Sequence, residues 1–126
     1  MKIDAQALTT CGVVDDGDAI TLGFVDATGN PATVRLSLKE VGVLVMTLPT
    51  LLQKALQARY GDESLRYAYP LASWAVEQST DPAQRMITLQ TADGFSICFA
   101  VPRDQQSELG EALMAQFDSK AKRRAN

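Results

Sequence analysis

The chain has 126 residues, 46% of them hydrophobic, 21% charged and 6% aromatic, with a formal net charge of −3 and no histidine. That length suits a domain with a real core, and the near-average charge and hydrophobic content exclude disordered, collagen-like and disulfide-scaffold classes. Lacking histidine, the chain lacks the commonest general base and metal ligand.

In chain order, Leu8 to Val14 reads as a strand, Asp15-Asp16-Gly17-Asp18 as a hairpin turn, and 19–26 as a second strand in which Ile20, Leu22 and Phe24 alternate with polar or small residues. Asp26 to Pro31 forms the next turn, with Gly29 free to take positive φ, and Thr33 to Leu38 closes a meander. A helix then starts at the capping-box pattern Ser37-Leu38-Lys39-Glu40 and runs to Tyr60, stopping at Gly61. Pro49 predicts a kink or a split inside it. Val41, Leu44, Val45, Leu48, Leu52, Ala55 and Leu56 share the face expected to cover the sheet. Val43 and Met46 project from the opposite side and mark a candidate interface. Leu65 to Tyr69 alternates as a possible extra strand. Strands follow at 71–78, 86–91 and 95–101, and a second helix runs from about Asp104 to Asp118 with Leu109, Ala112, Leu113 and Phe117 inward.

The two halves share phrases. ITLGFVDATGNPATVRL at 20–36 and ITLQTADGFSICF at 87–99 both open with Ile-Thr-Leu, cross an acidic glycine turn and continue as an alternating strand. The expected fold class is therefore α+β, with a duplicated strand–strand–strand–helix unit at about 8–60 and 71–118. Six to seven antiparallel strands would pack with two helices in one domain over residues 1–119.

Charge is uneven. Residues 1–119 hold eight basic against fifteen acidic groups, net −7, while 120–126 hold Lys120, Lys122, Arg123 and Arg124 and no acid. That basic tail reads as a solvated, disordered end, or as a weak nucleic-acid contact. The opening residues Met1 to Gln6 lack the apolar run of a signal peptide, and Val41 to Leu52 is interrupted by Gly42, Thr47, Pro49 and Thr50. Cys11 and Cys98 have no CxxC spacing and read as reduced thiols serving as small core residues. A cytoplasmic protein with no membrane association is the expectation.

Chemistry-bearing patterns are few. Zinc would need more thiolates than two distant cysteines, and the Asp15–Asp18 run lacks the spacing of a calcium loop. Neither cysteine lies beside a basic cluster that would activate it, and no GxGxxG or Walker loop is present, so no metal or cofactor is expected. Glu77 beside Trp74 and Glu40 at a helix start are the best-located acids. Glu77 reads as solvated and Glu40 as a cap. In the order of its elements, and without a shared motif, the doubled unit resembles the single-strand-binding Whirly proteins. That resemblance implies a nucleic-acid-binding sheet bearing Tyr67, Tyr69, Trp74 and Phe95, though only Arg35, Arg66 and Arg85 lie beside them and alternating aromatics usually form core. The leading expectation is a non-enzymatic homo-oligomer or accessory interaction module, its partner a second copy or another protein. The alternatives are a single-stranded nucleic-acid binder using the sheet and tail, and a small-ligand-binding or carboxylate-based enzyme.

Overall fold

Alternating apolar and polar residues condense into six strands, and the 3.6-residue periodicity into two helices. The computed structural model describes residues 1–116, so Phe117 and the basic tail at 120–126 lie outside the described residues. The elements are β1 (Ala5–Val14), β2 (Ala19–Asp26), β3 (Pro31–Ser37), α1 (Leu38–Tyr60), β4 (Ser73–Gln78), β5 (Gln84–Gln90), β6 (Ser96–Pro102) and α2 (Arg103–Met114). They form an α+β protein with two antiparallel three-stranded sheets, ordered β1-β2-β3 and β4-β5-β6. The chain divides into two compact units, Met1–Tyr67 and the part from Ala68 onward.

In the first unit, β1 meets β2 through the turn Asp15–Gly17, where Asp15, Asp16 and Gly17 all take positive φ. A two-residue acidic stretch in the left-handed region is costly for L-residues, and Asp tolerates it better than most. Arg35 on β3 reaches back to Asp15 with a 2.8 Å ion pair on the surface. Register places Ile20 opposite Val13 and Leu36, Leu22 opposite Cys11 and Val34, and Phe24 opposite Leu8 and Ala32. One face of this sheet is therefore apolar. The other carries Thr21, Thr33 and Arg35.

The second sheet repeats the division. Val76, Ile87 and Phe99 form one cross-strand row, and Trp74, Leu89 and Ile97 the next. Glu77, Thr88, Cys98 and Ser96 occupy the opposite face. The β2–β3 and β5–β6 turns also share a pattern. Asp26 N–H donates to the Asn30 carbonyl and Gly29 N–H to the Asp26 carbonyl; Thr91 N–H donates to the Phe95 carbonyl and Gly94 N–H to the Thr91 carbonyl. Gly29 and Gly94 sit at φ 85° and 96°. By this match Ala32 and Val34 correspond to Ile97 and Phe99, two positions away from the sequence register that pairs Val34 and Leu36 with Ile97 and Phe99.

Ser37 caps α1, its hydroxyl accepting from the Glu40 N–H at 3.3 Å, and Gly61 ends it in the left-handed region with its N–H on the Gln57 carbonyl. The helix runs unsplit through Pro49. The reciprocal half of the capping box does not form: among the described residues the Glu40 carboxylate accepts no hydrogen bond. Leu65 to Tyr69 is not a strand. Instead the Gln57 side-chain amide donates to the Leu65 carbonyl and the Tyr67 N–H donates to the Gln53 side chain, laying the chain back along the helix. α2 ends at Met114, four residues short of the expected Asp118, because Ala115 turns extended.

Gly61→Ala forces a Cβ into left-handed backbone and is expected to lower stability by about 1 kcal/mol. Gly110→Ala, in α2 with open space around its Cα, is expected to raise it by about 0.5–1 kcal/mol. Urea midpoints of the two variants against the parent check both signs.

Candidate interaction surface

α1 touches β2 and β3, yet the residues expected to cover the sheet do so over only part of the helix. Val41, Leu44 and Leu56 are half-buried, whereas Val45 is 61% exposed and Leu48 and Leu52 are exposed as well. No residue of α1 is fully buried. On the opposite side Val43 is 53% exposed and Met46 81% exposed, so a bend at Pro49 does not bury them. The expected inner stripe of α2 behaves likewise: Ala112 is half-buried, but Leu109 and Leu113 are exposed. Helix periodicity identified the apolar faces correctly. It did not reveal that these faces would stay uncovered.

The second sheet's apolar face is equally bare. Trp74 is 67% exposed, and Val76, Ile97 and Phe99 are exposed beside it. Tyr69, Leu71, Leu89, Phe95, Ile97 and Phe99 line a groove of about 240 Å³ along this face. The Tyr69 and Phe95 rings meet there at 4.6 Å between centroids, tilted by 54°. Thr91 anchors the groove's end from a buried position, its hydroxyl paired with the Asp93 carboxylate and accepting from the Phe95 N–H at 3.2 Å. The aromatics expected as core, Tyr67, Tyr69, Trp74 and Phe95, are all exposed; of these only Trp74 lies in a strand, on a sheet of three strands that is too small to bury it by itself. Arg85, in the Gln78 and Val101 row, is the one cation in these rows.

Cys11 and Cys98 are also exposed rather than core residues. Cys98 lies on the polar face opposite Thr88, where its small size fits a surface strand. Glu77 sits exposed opposite Met86 and Glu40 lies at the α1 cap; among the described residues neither carboxylate forms an ion pair or a side-chain hydrogen bond. Among the described residues no three His, Cys, Asp or Glu side chains gather as a metal site.

Acid–base work needs a carboxyl poised near neutral pH. The perturbed carboxylates here go the other way. Asp26 is held below the usual Asp value chiefly by the Asn30 backbone N–H at 2.9 Å, then by the Thr28 hydroxyl at 2.8 Å. The Ser64 hydroxyl lowers Asp62, and the Thr91 hydroxyl lowers Asp93. Each carboxylate serves a turn and is stabilised in its charged form.

By length and composition α1 is also apolar enough to cross a membrane, which reading the interruptions in Val41 to Leu52 had argued against. The chain matches no protein-family model, no curated protein and no solved structure.

A group whose folded pKa is depressed stabilises the fold above its unfolded value and loses that contribution as pH falls through the folded one. Stability is therefore expected to drop as pH falls below about 4 and the Asp26 carboxylate takes up a proton. Asp26→Asn should shrink the loss in urea midpoint between pH 5 and pH 2.5; an unchanged acid limb would contradict this role.

Proposed function

We propose that this chain is a non-enzymatic interaction module that works as a homo-oligomer. The observation that supports the reading is the exposed apolar stripe Val45, Leu48 and Leu52 on α1. Isolated apolar residues on a surface are ordinary, but contiguous ones of this extent mark association sites. Among the described residues the shifted carboxylates Asp26, Asp62 and Asp93 each serve a turn.

A second reading, binding of single-stranded nucleic acid, has the exposed aromatics in its favour. It asks for cations that the acidic body does not supply beyond Arg85 on that sheet face and the basic tail, so its affinity would fall steeply with salt and with deletion of 120–126.

Val45→Glu with Leu52→Glu is expected to raise the dissociation constant for self-association by about tenfold or more, since each charge would need desolvation in a packed interface. Light scattering across a concentration series, with circular dichroism to confirm the helix, reads the effect. A parent chain that stays monomeric at high concentration would sink the proposal.

A further inference from the structure

We infer that the homo-oligomer is held by reciprocal seating of the α1 stripe Val45, Leu48 and Leu52 on the apolar face of the β4-β5-β6 sheet of a second copy. This inference rests on the homo-oligomer proposed above and adds the surfaces that meet.

The two faces match in dimension. Outer strands of a three-stranded sheet lie about 10 Å apart, and a helix with its side chains is about 10–12 Å across. One helix therefore covers one such face. The groove lined by Tyr69, Leu71, Phe95 and Phe99 gives that face a socket for a helix side chain. The faces also match in chemistry, since both are apolar, and Arg85 lies in the end row with Gln78 and Val101.

Area points the same way. With each aromatic side chain contributing roughly 150–250 Å² when whole and the aliphatic ones less, the outward residues of the two faces, 39–67% exposed, leave on the order of 1,000 Å² bare on each copy. A standard stable interface takes about 800 Å² from each partner. Each chain carries one bare helix stripe and one bare sheet face, so a two-fold exchange fills both on both copies at once. The chain that leaves α1 is bonded to Gln53 and Gln57, on the side of the helix away from Val45, Leu48 and Leu52, leaving the stripe open to a second copy.

Trp74 is the sole tryptophan and lies in the face that would be covered, so its emission reports the seating. On dilution of the full chain its emission is expected to move to longer wavelength as the oligomer dissociates. Leu48→Glu should give the long-wavelength emission at every concentration while native mass spectrometry shows monomer. For the geometry, Cys11→Ser and Cys98→Ser give a thiol-free background. Two differently tagged chains, one Leu48→Cys and the other Val76→Cys, should then form a mixed disulfide under mild oxidation. A Val43→Cys chain paired with Val76→Cys should form at least about tenfold less.

An oligomer without the 48–76 cross-link, or one linked only through Leu48→Cys to Leu48→Cys, overturns the seating and leaves the homo-oligomer standing. A monomeric parent overturns both. A disulfide within a single monomeric chain carrying both cysteines assigns the sheet's cover to the same chain and overturns the second copy. Emission that shifts to shorter wavelength on adding phosphatidylcholine vesicles, but not on raising concentration, assigns these faces to lipid and overturns the proposal too.

Discussion

The structure depends on one requirement: an antiparallel sheet that is apolar on one face must have that face covered. Three strands are too few to bury their own side chains, and a helix is the usual cover. Here each unit has a sheet with a sharp division of faces and a helix directly after its third strand. α1 reaches β2 and β3, but its stripe from Val45 to Leu52 stays exposed, and α2 likewise leaves Leu109 and Leu113 in water. At about 25 cal/mol per Å², an exposed apolar area of roughly 1,000 Å² represents on the order of 25 kcal/mol of gross transfer free energy. Association would recover only the surplus left after lost translational and rotational freedom and side-chain ordering. A chain that leaves so much uncovered has a strong thermodynamic reason to associate.

The polar chemistry is local by contrast. Asp26, Asp62 and Asp93 each serve hydroxyl or amide groups within four residues, and Asp15 pairs with Arg35 across the sheet's edge at the surface. These contacts set where the chain turns, and thereby the registers that put apolar residues in common rows. The depressed pKa values of Asp26, Asp62 and Asp93 follow from turn geometry. Carboxylates thus shape the sheets and set which residues share a face.

How much of this was legible depended on distance along the chain. Period-two alternation located all six strands within a few residues, since alternation is a local consequence of one wet and one apolar face. Ser37 and Gly61 bounded α1 because caps are local as well. Leu65 to Tyr69 misled: its alternation is genuine, but Gln53 and Gln57 capture that backbone before any strand can. The two half-chain phrases aligned on their letters, whereas the hydrogen-bonded turns align Asp26 with Thr91, residues that share a place in the turn but not a side chain. The exposure of Cys11, Cys98 and Trp74 was beyond reach, since a residue on an apolar face is core only if something packs on it. Val43 and Met46 stood out by their odd position, and both are exposed. Val45, Leu48 and Leu52 read as part of the sheet-covering face, and nothing in their spacing tells that they stay exposed.

The helix itself helps decide what kind of surface meets it. α1 passes for a membrane span by length and composition, but its uncharged stretch is bounded by Glu40 and Lys54. From Val41 to Gln53 that stretch rises only about 20 Å at 1.5 Å per residue, against about 30 Å of hydrocarbon. Its first residue, Leu38, also follows Ser37, which is still paired to Ala19 in the sheet, so one end of the helix is tied to a strand pairing that lipid would not tolerate at its edge. A flat, partly polar helix end joined to a sheet, with a short apolar stripe between charges, is better matched by a protein face of similar extent than by a bilayer. The apolar face of β4-β5-β6 has that extent, and every copy of the chain brings one.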